Sequence, residues 1–498
     1  MRSIRSMLLW DARLQARYGF YAVYAVLTLV YIVGLRGLSP ALRTDASVLL
    51  IVTDPTVLGF YFIAAMVLFE KEEGVLDALV TSPLGDRGYL VSKTITLSLL
   101  AVIASLLVAV LGHGGRVHPR LAILVVGVAL SATLFVLIGF VAVARFDSVN
   151  EYFISAAGWG TVLFLPLFGY VGLVETPLFY LLPAQPVLFV VEGGLRPVAA
   201  WRIVYAFGYL SIGNVVAFIW ARRAFRRHVV RGGTPGRQLG RGDVPDSDTG
   251  HNRSGLATRT PWAGLLLTDL RSWSRDPMLA VAAIGPFALA AVIRFGAPVA
   301  AELAAPAVDL RAYYPVITAS LVAFGPSIYG FVVGMFVLED REQGVLVAFR
   351  TSPLSGRGYL LYRGITVYVL SVVATLPALA VVGLVEIPPA VLVGGVVVGA
   401  LSGPLVALGF GTLASNTIEG IALSKLVNLV VLGPAIVVAV VPEPLQFAAG
   451  VLPTYWPVKA VVAGILGESS WVAYLAVGAL VQFVWLVGIG RWFVTRAD

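Results

Sequence analysis

The chain alternates between long apolar runs and short polar stretches. Twelve runs approach or exceed the roughly 20 residues that a helix needs to cross the hydrocarbon core of a bilayer: 19–36, 48–69, 89–112, 121–145, 152–175, 200–220, 279–295, 313–338, 359–383, 390–415, 422–441 and 472–491. Runs this continuous predict helices, because the strands of a membrane barrel alternate apolar and polar residues. Two further stretches, 176–199 and 442–471, are apolar but broken by proline. They predict short re-entrant helices on one face of the bundle.

Composition narrows the class. Apolar residues make up 59% of the 498 and charged residues 12%, about half the charge of a soluble domain. A soluble enzyme, a disordered chain and a fibrous repeat are excluded, and an all-α integral membrane protein is expected. Twelve crossings place both termini on one side, and that side carries 26 of the 35 Lys and Arg, the other 9. Positive charge marks the cytoplasmic face, so the termini are expected in the cytoplasm and the chain in the cell membrane. The net charge of +8 then needs no nucleic acid. The first residues lack the apolar core and cleavage site of a signal peptide. Residues 228–261 are rich in Gly, Arg, Pro and Ser with no apolar period, which reads as a flexible cytoplasmic linker.

The strongest signal is internal duplication. Residues 70–96, EKEEGVLDALVTSPLGDRGYLVSKTIT, and 340–366, DREQGVLVAFRTSPLSGRGYLLYRGIT, agree at 15 of 27 positions with no gap. Each copy follows the second run of its half. Asp11, Arg13 and Arg17 recur as Asp269, Arg271 and Arg275, Glu151 recurs as Glu419, and Leu182-Pro183 recurs as Leu452-Pro453. Six runs per half is an even number, so the repeats are parallel. The expected architecture is a pseudo-dimer: a first six-span half (1–227), the linker, and a second six-span half (262–498).

The repeated loop lies on the cytoplasmic side. In the first copy Gly74 breaks a charged run, Val75, Leu76, Ala78 and Leu79 form an apolar stripe, and Thr81-Ser82-Pro83 ends it. That pattern predicts a short amphipathic helix stopped by proline. A plain connector does not require the same apolar ridge in both halves, whereas a docking surface does.

Glu-x-Gly-Val-Leu, then Thr-Ser-Pro-Leu, then Tyr-Leu entering a span resembles the permease subunits of type-2 ABC exporters. The segment Leu452-Pro453-Thr454-Tyr455-Trp456-Pro457-Val458-Lys459-Ala460 is similar to one these permeases carry before their last span. The basic N-terminal segment is similar to their interfacial helix. Members usually carry six spans and work in pairs, so this chain looks like two of them fused. The resemblance implies that the repeated loops are coupling helices seated on two ABC ATPase subunits, identical or different. The contact group it implies is Glu72, Gly74, Leu76 and Pro83 with Glu342, Gly344, Leu346 and Pro353. It also implies export of a hydrophobic or amphiphilic, drug-like or lipid-like small molecule.

The chain is not expected to be the ATPase. None of Lys71, Lys93, Lys425 and Lys459 follows glycine in a phosphate-cradling loop, so ATP and Mg belong to the partner and no cofactor to this chain. There is no cysteine, and His113, His118, His228 and His251 form no metal spacing. No acid–base or metal constellation inside the runs supports an intramembrane enzyme. Asp54 lies within the second run, where a carboxylate faces protein or a wet cavity; it is a candidate for the substrate path or an outer gate, or it lies close enough to the outer end of the run to reach water. Glu151 and Glu419 stand at the start of the fifth run of each half, as helix caps or as part of the same path. Tyr61, Phe62, Trp159 and Phe164 are candidate path aromatics, or packing residues. The alternative is a major-facilitator-type secondary transporter, which shares the six-plus-six arrangement. That family's Asp-Arg-x-Gly-Arg motif is departed from here by Asp86-Arg87-Gly88-Tyr89.

Overall fold

A computed structural model describes residues 2–75, 85–115, 119–146, 152–227 except 153–155, 157, 161, 173 and 175, then 277–304, 309–342, 344 and 355–497. The linker 228–261 lies outside these residues, as do residues 76–84 and 345–354 of the repeated loops.

Among the described residues the fold is entirely helical. The amphipathic helix α1 (Arg2–Arg17) has Asp11, Leu14 and Gln15 on its buried face. Gly19, at φ +72°, turns the chain into α2 (Phe20–Gly37). Then come α3 (Pro40–Thr53), α4 (Pro55–Glu72), α5 (Gly85–Gly112), α6 (Leu121–Val143), the short α7 (Pro166–Tyr170), α8 (Ala184–Leu195) and α9 (Ala200–Phe225). The second half contains α10 (Pro277–Ala304), α11 (Tyr314–Glu342), α12 (Ser355–Val382), α13 (Pro389–Gly399), α14 (Ser402–Leu413) and α15 (Thr417–Val440). It ends with α16 (Glu443–Gln446), α17 (Tyr455–Ile465) and α18 (Trp471–Ala497).

Ten of these helical segments are long and apolar enough to cross a membrane, with α13 and α14 counted as one. The expected spans 48–69 and 152–175 are not among the ten. The first is two helices that meet at Asp54 (φ −118°, ψ −76°). Pro55 supplies no N–H and disfavours helix in the residue before it, and α4 then ends in Glu70, Lys71 and Glu72. The second is only partly within the described residues.

Packing places the core. In the first half α4 lies against α5 and α6, and α9 covers α6. In the second half α11 takes the place of α4, packing on α12 and α14, while α18 covers α14. Burial separates centre from rim: 78% of the α11 apolar window is buried, against 17% for α9 and α10 and 11% for α18. The outer helices therefore present apolar residues to lipid. Small residues bring the central helices close. A Cβ on Gly139 would stand 2.6 Å from the Phe60 carbonyl oxygen, and one on Gly330 2.4 Å from that of Gly403.

Leu182-Pro183 and Leu452-Pro453 each precede a short buried helix, α8 and α17. At 12 and 11 residues these are too short to cross a bilayer, as expected of re-entrant segments. The halves meet where α15 packs on α2 and α4.

Candidate functional site

The two ends of the repeated loop are held in the same way in both halves. In the first, Glu70 lies near the end of α4, and Tyr89 and Lys93 stand one turn apart near the start of α5. The Tyr89 hydroxyl donates to Glu70 Oε2 at 2.6 Å and Lys93 Nζ donates to Glu70 Oε1. In the second, Asp340, Tyr359 and Arg363 occupy the same positions 270 residues on. The Tyr359 hydroxyl donates to Asp340 Oδ2, and Arg363 Nη2 donates to the same oxygen at 3.4 Å. An acid before the loop and a tyrosine and a base after it thus fix the separation of the loop's ends.

The first-half cluster is the deeper one. Lys93 Nζ also donates to Asp11 Oδ1 at 2.7 Å, and Ser92 Oγ donates to Asp11 Oδ2 at 2.5 Å. Lys93 and Asp11 are fully buried. The N-terminal helix α1 is therefore tied to both ends of the loop. Ions buried this way depend on their partners, because the desolvation cost of each is offset only by the others.

The basic residue after each acid has a second task. Lys71 Nζ donates to the Phe146 carbonyl at 2.9 Å, just past α6, and Arg341 Nη1 to the Ala414 carbonyl at 3.4 Å, just past α14. Cations are favoured at helix C-termini. Gly74 (φ +66°) and Gly344 (φ +72°) then leave the helix in the left-handed region, and each N–H returns to the carbonyl of that basic residue, at 3.2 and 3.1 Å. A glycine is suited to this turn because it carries no Cβ.

Glu342 joins the second loop to the next span. Its carboxylate accepts the Thr417 N–H at 2.7 Å and the Thr417 hydroxyl at 2.8 Å, at the first residue of α15. Asn416 accepts the Glu419 N–H at 2.9 Å, and the Glu419 carboxylate accepts the Ser415 N–H at 2.7 Å. That is a reciprocal cap, and both carboxylates lie where the helix dipole favours negative charge.

Two turns further along α15, Lys425 reaches across to the first half. Its Nζ donates to Asp54 Oδ1 at 2.8 Å, and the Tyr31 hydroxyl of α2 donates to Asp54 Oδ2 at 3.1 Å. The Asp54 side chain is 6% exposed and that of Lys425 32%. One continuous element therefore runs from the second loop, through Glu342 and α15, to an ion pair between the halves.

Of the residues expected to form the docking group, Gly74, Glu342 and Gly344 are described as above. Leu76, Pro83, Leu346 and Pro353 lie outside the described residues, as do Glu151 and the side chain of Glu72. Phe62 is a packing residue, stacked on Phe20 at 3.7 Å between centroids, and Phe164 stacks on Phe135. Trp159 borders an apolar cavity of about 590 Å³ together with Leu134, Ile138, Tyr209, Val216 and Trp220. That cavity lies on the flank between α6 and α9, away from Asp54 and Lys425. The segment from Leu452 to Ala460 serves as an anchor for α17. Thr454 Oγ1 donates to the Val430 carbonyl of α15 at 3.0 Å, and Trp456 Nε1 to the Gly450 carbonyl at 2.7 Å. Lys459 donates to Glu443 at 2.8 Å and holds that carboxyl below its usual range.

Sequence reasoning missed Lys93, Arg363 and Lys425. For the first two the signal was available: acid, tyrosine and base recur together at the 270-residue offset. Lys425 carried no such signal, since its partner lies 371 residues away.

Two family models match the chain, one in each half. A family described as fluoroquinolones export permease protein family matches residues 2–232, and one described as Fluoroquinolones export permease protein Rv2686c-like matches residues 269–489. Fluoroquinolones export permease protein Rv2687c of Mycobacterium tuberculosis (strain H37Rv) is 31% identical over 224 residues, 44% of this chain and 94% of that protein. Fluoroquinolones export permease protein Rv2686c of the same strain is 29% identical over 241 residues, 47% of this chain and 95% of that protein. No solved structure matches the chain. With one match in each half and a relative covered almost from end to end, the chain belongs to the fluoroquinolone export permease family.

Proposed function

We propose that the chain is a transmembrane permease subunit of an ATP-driven exporter of amphiphilic drug-like molecules, the fluoroquinolones among them. The broken helix α3–α4 and the segment 152–175 bring the crossings to twelve. Residues 1–227 and 262–498 are then two parallel six-span halves joined by the linker 228–261, forming a pseudo-dimer around a shared path. The termini and both repeated loops face the cytoplasm. There Glu72, Gly74, Leu76 and Pro83, with Gly344, Leu346 and Pro353, seat two ABC ATPase subunits, and Glu342 of the same group links the second seat to α15 through Thr417. Those partners bind and hydrolyse ATP with Mg, and this chain is not itself an enzyme.

The observation that carries this reading is the repeated fixing of the loop ends. Glu70, Tyr89 and Lys93 match Asp340, Tyr359 and Arg363 in position and in bonding. A loop whose ends are set rigidly against the spans transmits a push from outside the membrane as a rigid-body motion. A loop that merely connects spans needs no such bracing. Copurification tests it. With the chain and a candidate ABC ATPase partner coexpressed, Leu76→Asp combined with Leu346→Asp is expected to reduce the recovered ATPase at least about tenfold, since a charge is placed in each apolar ridge. Unchanged recovery removes the docking role. A secondary transporter predicts no such ATPase at all.

A further inference from the structure

The ion pair between the halves has features that a structural bridge does not require. Asp54 caps no helix with its side chain. It stands 14 residues along α3 and just before the 18 of α4, about 21 Å from one end and about 27 Å from the other at 1.5 Å per residue. Lys425 is the ninth residue of α15 and Tyr31 the twelfth of the 18 of α2. The pair is therefore deep in the bundle, yet Lys425 keeps a third of its side chain open. Tyr24, seven residues before Tyr31 and so on the same face of α2, is buried, and its hydroxyl has no partner among the described residues.

The pair is also single. At the offset of the repeated loop, Asp54 corresponds to Phe324, and at the offset that relates Glu151 to Glu419, Lys425 corresponds to Ala157. A bridge needed to hold the two halves together would be expected twice in a duplicated chain. One acid and one base in one place make a polar site with a direction.

Resting on the exporter reading above, we propose that Asp54 and Lys425 are the polar subsite of the transport path, and that it selects amphiphiles bearing one ammonium and one carboxylate. When the halves move apart, each side chain loses its counter-ion in a low-dielectric setting, which is costly. A zwitterion replaces both at once: its ammonium goes to Asp54 and its carboxylate to Lys425, with Tyr31 still donating to Asp54. A substrate with one charge leaves one side chain unpaired.

The test is equilibrium binding to the full chain with its ATPase subunits in lipid nanodiscs, without ATP. The probes are ciprofloxacin, its ethyl ester (cationic) and its N-acetyl derivative (anionic). The unaltered protein is expected to bind ciprofloxacin at least about tenfold more tightly than either derivative, the size of one charge-assisted hydrogen bond. Asp54→Asn is expected to weaken ciprofloxacin and the ester by about that factor and to spare the N-acetyl compound; Lys425→Met does the reverse for the two derivatives. The exchanged protein, Asp54→Lys with Lys425→Asp, regains most of the ciprofloxacin affinity. Equal losses for all three probes, or none, overturn the subsite and leave a latch between the halves. Export is assayed separately: binding as described with no ATP-dependent export defeats the exporter reading and not the subsite.

Discussion

Replacing Lys93 with methionine is expected to destabilise the protein by about 3–5 kcal/mol, the scale of breaking a buried ion pair from one side. The ammonium lies between Asp11 and Glu70, 2.7 Å from the first and bonded directly to the second. Methionine fills the space but leaves two carboxylates facing each other out of water. Either one of them takes up a proton, or α1 separates from the loop ends so that Asp11 reaches solvent. The measurement is thermal unfolding of the detergent-purified chain together with its yield in membranes. Lys93→Arg is expected to remain close to the unaltered protein, because the second half uses Arg363 in the same place. Adding Asp11→Asn and Glu70→Gln to the methionine variant is expected to recover much of the loss, since neutral partners no longer require a cation. A methionine variant as stable as the starting protein would show that the cluster is not needed for the fold.

The second large effect is expected at Glu342, and it is one of coupling. Glu342→Ala removes both acceptors from Thr417. Hydrogen bonds to a charged group contribute about 1.5–3 kcal/mol each, so the start of α15 is released from the second loop. ATPase subunits are still expected to copurify with this variant. Drug export per ATP hydrolysed is expected to fall on the order of tenfold, the effect of about 1.4 kcal/mol on the transmitting contact. Glu342→Gln keeps an acceptor for the Thr417 N–H and is expected to lie between the two. Were Glu342 chiefly a docking residue, alanine would instead lower ATPase recovery and leave the ratio of export to hydrolysis unchanged.

Much of the fold could be read from the sequence because membrane helices announce themselves by length and apolarity. Ten of the expected runs match long helices, and α8 and α17 fall where proline-broken stretches pointed to short ones. The break at Asp54 was less legible. Asp54-Pro55 is visible in the sequence, but hydropathy averages over it, and only the backbone places the boundary there. The site divides in the same way. Gly74 and Gly344 could be recognised as helix breaks because glycine favours the left-handed turn. The duplicated loop pointed attention outward, to docking, while the charges flanking it turn inward to Tyr89, Lys93, Tyr359 and Arg363. A charge count assigns Lys425 to the positive side of the membrane and says nothing of Asp54, because their meeting depends on how the two halves pack.

The central claim is that the energy for transport is supplied by a separate ATPase gripping this chain. Its most direct test is fluoroquinolone uptake into inside-out proteoliposomes containing the chain and its candidate ABC ATPase, with no ion gradient. Uptake that requires both ATP and the ATPase, and that stops when the ATPase Walker lysine is replaced, is the result expected here. Uptake by the chain alone, driven by an imposed proton gradient and indifferent to ATP, would contradict it.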